Sequence, residues 1–225
     1  MARIQLSFSS AVWAVLAKDA VCESRTRYAT GALIMFALTA LSSVSMAIAG
    51  ASLPPELAAA LLWVVLFFCA MAGLARVFVQ EQEAGTLMGL RLYATGHAVF
   101  WGKLLYNLAL LLGLACLVVP LFTIFIAVEV GAWLPFIIVL VLGCTGIATV
   151  STLTAAMVMY AQGKHAIFTV ITFPVLLPQF LSAISATSKI LSDGVPEFSE
   201  LVFMAGYDAA VVAAGVLLFD YIWQD

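Results

Sequence analysis

Residues 81–107 read EQEAGTLMGLRLYATGHAVFWGKLLYN, the longest interval of the chain with charge and turn residues throughout. Apolar runs long enough to cross a bilayer lie on both sides of it, which makes the interval a connection between two membrane spans. Its pattern predicts a short surface helix. Thr86 can cap a helix beginning at Leu87, with Glu81 and Glu83 near its positive end, and Leu87, Leu90 and Ala94 would share one face. Gly96 then breaks this helix, Thr95 can cap the next, and Gly102 and Lys103 fall in the first turns of a new apolar run. Two readings fit the residues alone: an ordinary interfacial loop, or an element on which a partner docks.

Composition extends the argument to the whole chain. Of 225 residues, 65% are hydrophobic and 9% charged, against roughly half apolar and a quarter charged in a soluble domain. The expectation is an all-α integral membrane protein. At about 20 apolar residues per crossing, the length holds six spans, one membrane domain over 1–225 and no soluble domain. The first residues lack the cleavage pattern of a signal peptide, and no processing is expected. Cys22, Cys69, Cys116 and Cys144 are widely spaced without a C-x-x-C, and read as packing residues. The net charge of -3 and the lack of any dense basic cluster exclude a nucleic-acid surface.

Residues 10–23 place Val12, Val15, Leu16 and Ala20 at helical spacing among charged residues, the pattern of a helix lying in the membrane interface. The spans are expected at about 28–50, 57–79, 98–128, 134–160, 166–187 and 201–219. The third is over-long, so it must tilt, kink at Pro120 or reach outside the hydrocarbon. In the fifth, Pro174 and Pro178 remove two backbone donors and should bend or break the helix. Residues 182–200 read as the longest outer connection. Arg3, Lys18, Arg25, Arg27, Arg76, Arg91, Lys103 and Lys164 fall on one side of this scheme and Lys189 alone on the other, which puts both termini inside.

The run E-x-E-x-G-T-L-x-G-L followed by G-K-L-L-Y-N resembles the loop between spans two and three of haem exporter protein B, the CcmB family of cytochrome c maturation permeases. The stretch KHAIFTVITFPVLLP at 164–178 and the end FDYIWQD at 219–225 are similar to the family's fifth span and C-terminal pattern. The resemblance implies an ABC-2-type permease-like fold, with residues 10–23 as the N-terminal interfacial helix and the short central helix as a cytoplasmic coupling helix. It implies a membrane subunit that works with a separate ABC ATP-binding subunit and a haem-handling membrane protein, paired with a second copy of itself in the bacterial inner membrane. Haem is then the cargo of the complex and ATP sits on the partner, with no cofactor bound directly by this chain. Glu81, Glu83, Gly85, Thr86, Leu87 and Leu90 become the candidate contact with the ATPase, Glu81 and Glu83 bonding either to the ATPase or to the helix's own amides. Pro174 and Pro178 become candidates for a pathway, because broken helices in transporters expose backbone.

Asp208 is the one carboxylate well inside an expected span, and an ionisable group there is a functional hypothesis. It could line a pathway, pair across a subunit interface, or hydrogen-bond a neighbour. Tyr207-Asp208 is similar to the Tyr-Asp of intramembrane aspartyl proteases, yet Asp220 lies 12 residues on, roughly 18 Å along a helix, too far to share a proton. His97 and His165 sit beside turns at inner span ends and read as solvated rather than haem-ligating. No G-x-x-x-x-G-K-[ST] occurs, so the chain lacks a P-loop and reads as a transporter subunit, not an enzyme. A permease for a lipid, glycan or drug, or a passive membrane scaffold, would share the composition.

Overall fold

The computed structural model describes residues 7–26, 28–48, 52–74, 78, 81, 85–159 and 164–224. Eight helices are defined there: α1 (Phe8–Thr26), α2 (Tyr28–Ile48), α3 (Pro55–Leu74), α4 (Leu87–Tyr93), α5 (Gly96–Ile126), α6 (Trp133–Val158), α7 (Lys164–Asp193) and α8 (Phe198–Gln224). The described residues contain no strand. Six of these helices, all but α1 and α4, are long and apolar enough to cross a membrane. The all-α membrane class expected from composition is the one observed.

The bundle is organised around α6, which packs against α3, α5, α7 and α8. Its residues 146–156 are all buried, so no face of that stretch meets lipid. Four of them are hydroxyl residues, Thr149, Ser151, Thr152 and Thr154. The three threonines bond the carbonyl one turn back, Thr149 to Thr145, Thr152 to Ala148 and Thr154 to Val150, at 2.7–2.8 Å. This is how a short polar side chain is accommodated in a helix interior without water. Between helices, Asn107 donates to Thr152 at 2.8 Å, Thr154 meets Thr172 at 2.8 Å, and Trp63 Nε1 donates to Thr187 at 2.9 Å.

Small residues set the closest approaches. The Trp63 ring of α3 lies directly on Gly143 of α6, where an added Cβ would fall inside the ring contacts. Gly143→Ala is therefore expected to cost about 1–3 kcal/mol by overpacking. It should lower the thermal midpoint of the purified protein, whereas Gly31→Ala, with nothing within 4 Å of the new methyl, should not. Equal midpoints for the two variants would contradict the packing described.

The structure bears on three expectations about individual helices. The third span, α5, has 31 residues, about 46 Å at 1.5 Å per residue against an apolar core of about 30 Å. It runs through Pro120 and stops at Ala127, whose φ of 53° is left-handed. Its first turns lie against α1, where Gly102 leaves room for Val15 and the Val12 carbonyl. In α7, Pro174 and Pro178 do not break the helix. The prolines are one turn apart, so both lost donors fall on one stripe and the other stripes keep their ladder. The expected outer connection at 182–200 is mostly helix, because Ala183, Ala186, Thr187 and Ile190 are buried and carry α7 on to Asp193. Gly194, with φ of 78°, ends it by donating its N–H to the carbonyls of Lys189 and Ile190 at 3.1 Å. Lys189 then bridges Glu197 and Glu200 at 2.8 Å.

Candidate coupling site at the inner end of the bundle

Charges from three separate segments meet where α1 crosses α5. Lys103 of α5 is wholly buried. Its Nζ donates to Asp19 Oδ2 of α1 at 3.1 Å and to Glu81 Oε1 at 3.2 Å, and stands 5.1 Å from the centre of the Phe78 ring. Lys18 bridges the same two acids, to Asp19 Oδ1 at 3.1 Å and in contact with Glu81 Oε1. Thr86 donates its hydroxyl to Glu81 Oε2 at 2.6 Å and its amide to the Glu81 carbonyl at 3.1 Å. Among the described residues two cations face two anions, and the hydroxyl occupies the remaining carboxylate oxygen. That is the condition under which charges can leave water at all. Burial, reinforced by the neighbouring Lys103 charge, holds the Lys18 ammonium below the usual lysine range.

Helix α4 forms over Leu87–Tyr93 as the sequence predicts, but its ends are built differently. Thr86 does not cap it with its side chain, since its hydroxyl is committed to Glu81. Gly85, with φ of 66°, makes the turn instead. Gly96 is not the break. The chain turns at Ala94 and Thr95, and Gly96 is the first residue of α5, small because Trp223 of α8 lies 3.2 Å from where its Cβ would be. Trp223 also lies 5.4 Å below the Arg91 guanidinium and stacks on Phe219 at 5.5 Å. Phe219 in turn meets Phe78 and Phe100 at 5.8 and 5.5 Å. The central loop and the C-terminal pattern, joined here through Phe100 and Phe219, which are 119 residues apart in the sequence, form one aromatic platform.

The predicted site residues are distributed as follows. Glu81 faces Lys103, Lys18 and Thr86, inside the chain and not on the amides of α4. Glu83 lies outside the described residues. Leu87 opens α4, and Leu90 is half-buried on the core. The exposed residues of this segment are Gly85, Thr86, Gly89 and Leu92, the last 68% exposed. Asp208 is remote from all of these. It accepts a bond from Gln179 Nε2 at 3.0 Å, between α8 and α7. Pro174 and Pro178 are exposed on α7, whereas Gln179 is buried. Sequence reasoning missed Lys18, Asp19 and Lys103 as a unit, although a lysine inside the start of an apolar run required a partner. It also missed Gln179, the polar residue directly after Pro178. A cavity of about 500 Å³ between α1, α2 and α5 is apolar apart from Glu23, Ser24, Thr30 and Tyr106. Glu23 Oε1 is already occupied there by the Thr30 amide and hydroxyl at 2.8 Å.

A family sequence profile described as CcmB protein matches residues 10–219, from the first turn of α1 to Phe219. The chain belongs to the CcmB family. Among curated proteins, none matches it. CcmB proteins are membrane subunits of the haem-export ABC transporter of cytochrome c maturation, and the six apolar helices agree with a permease of that kind. The CcmB match takes in α1, α4, α5 and hence all four charges of the buried cluster.

Proposed function

We propose that this chain passes motion from a separate ABC ATP-binding subunit to the membrane bundle, in support of haem delivery for c-type cytochrome assembly. The observation that carries the reading is the Lys103–Glu81–Asp19 contact. Glu81 stands five residues before Thr86 and is bonded to it, so a push on α4 reaches Glu81, then Lys103 in the third span and Asp19 in α1. A rigid element that two sites both bias is what coupling requires. The exposed side of α4, Gly89 and Leu92, is the surface offered to the ATPase.

In this reading the chain pairs with a second copy, two ATPases and a haem-handling membrane protein. ATP is held by the partner. Haem is cargo, and this subunit drives its release without holding it as a cofactor. The protein sits in the bacterial inner membrane with α1, α4 and the end of α8 towards the cytoplasm, supported by the eight basic residues on that side against Lys189 on the other.

The test is purification in mild detergent with identification of what comes with the chain. An ATPase together with a haem-handling membrane protein and a haem absorbance is the expected outcome. An ATPase without haem or such a protein would indicate a permease for another substrate. Recovery with no ATPase would indicate a scaffold.

A further inference from the structure

Asp208 lies 10 residues into α8, roughly 15 Å along the axis at 1.5 Å per residue, about half of an apolar core of some 30 Å. It is 6% exposed, and Gln179 beside it is 1% exposed. Gln179 Nε2 donates to Asp208 Oδ1 at 3.0 Å and to the Leu142 carbonyl at 3.3 Å. That leaves two buried oxygens, Asp208 Oδ2 and Gln179 Oε1, with no hydrogen-bond partner. Both are acceptors. The pair is pressed onto α6 at Gly146, whose added Cβ would lie 2.7 Å from Asp208 Oδ1 and 2.7 Å from Gln179 Cγ. The gap on the other side of Gln179, lined by Trp63, Gly143 and Leu176, is too small for a water molecule.

We propose that Asp208 binds a proton in the middle of the membrane, as the acid half of a carboxylic acid–carboxamide pair with Gln179. A single hydrogen on Oδ2 turns one orphaned acceptor into a donor, and a bond from it to the orphaned oxygen of the same Gln179 amide makes the pair reciprocal. Without it, a carboxylate holds one hydrogen bond in a medium that penalises both the charge and the unsatisfied oxygens. No cation among the described residues faces the pair to offset that cost. α6 carries no charged residue, and its titratable group is the buried Cys144. On α7, Lys189 is 10 residues beyond Gln179, about 15 Å away, and is engaged by Glu197 and Glu200. α5 brings His97 and Lys103 at its inner end, and Lys103 belongs to the cluster with Asp19 and Glu81. On α8 itself, Tyr207 donates its hydroxyl to the Val175 carbonyl. The proton is taken from water and returned to water, with one O–H bond formed or broken and no other group altered. Losing it sets a charge against the Gln179 amide oxygen and loosens α8 from α6 and α7, so the packing of those three helices is linked to protonation.

The test is infrared spectroscopy of the full chain in lipid nanodiscs across a pH series. A protonated carboxylic acid absorbs above the amide band. The expected result is such a band at neutral pH that is lost in Asp208→Asn and shifted in Gln179→Leu, where its hydrogen-bond partner is gone. Asp208→Asn should also keep the thermal midpoint, because its amide donates to Gln179 Oε1 as the proton does, while Asp208→Leu should lower it. The Gln179→Leu shift supplies the reading even if the aspartate variants fold poorly. A wild-type spectrum without the band at neutral pH, or a band that survives in Asp208→Asn and ignores Gln179→Leu, would overturn the proposal.

Discussion

Lys103→Leu should abolish holo-cytochrome formation and lower the stability of the subunit by about 3–5 kcal/mol, the range for removing one partner of a buried ion pair. The reason is the balance of charge at the site. Lys103 is fully buried between Asp19 and Glu81, and without it the two carboxylates keep the half-exposed Lys18 as their cation among the described residues. A second substitution separates structure from function. Lys103→Leu/Glu81→Gln restores neutrality, leaves the Lys18–Asp19 pair, and keeps an oxygen for the Thr86 hydroxyl, so most of the lost stability should return. If the cluster passes motion between α4 and the spans, ATP hydrolysis in the double variant will persist while holo-cytochrome yield stays low. Recovery of both stability and yield would reduce the cluster to a fastening. The measurements are thermal midpoint, ATPase rate of the purified complex and haem-stained cytochrome.

The parts of this fold that were legible in the sequence are those fixed by the bilayer. A run such as LAAALLWVVLFFCAMAGL has one stable form in a membrane, because every backbone group must bond within its own segment. Span existence therefore followed from composition. Span ends were less legible because their causes lie in other helices. α7 outruns the expected boundary since Ala186 and Ile190 bury themselves against the bundle, and its true signal was Gly194, which was read as part of a loop. Gly96 looked like a helix breaker and is instead a seat for Trp223. A glycine reads alike in both roles until its neighbour across the bundle is known.

The short helix of the central loop was legible and the wiring around it was not. The central loop does carry that helix, but Glu81 was expected to reach a partner or the helix amides and is turned inward to Lys103. Nothing local announces this. Lys103 lies 22 residues from Glu81 and 84 from Asp19, and only packing of α1 against α5 through Gly102 closes those distances. The usable signal was energetic: a lysine at the start of a 31-residue apolar helix needs an acid at the same depth, and Asp19 and Glu81 were among the acids on that side. For Asp208 the same rule pointed to the right residue and was silent on Gln179, since an amide carries no charge to balance.

Leu92→Asp should detach the ATPase while leaving the bundle intact. Leu92 is 68% exposed, an apolar side chain on a helix whose other side rests on the core through Leu90. An exposed substitution of this kind changes folding stability by about 0.5 kcal/mol or less. An aspartate in the centre of an apolar docking contact costs about 2 kcal/mol or more, a loss of roughly thirtyfold in affinity. Gly89→Trp provides an independent check. No atom lies within 4 Å of a Cβ at Gly89, so the chain accommodates the ring and a docked partner does not. Leu90→Asp is the contrast, since it places a charge on the packed side of α4 and should lower the thermal midpoint as well as the copurified ATPase. The expected pattern is ATPase lost in all three and stability lost in Leu90→Asp alone. If Leu92→Asp and Gly89→Trp both retain the ATPase and normal cytochrome yield, α4 is only a connection. The contact then belongs to the exposed side of α1, around Trp13, which is 66% exposed, or to the segment 161–165 before α7.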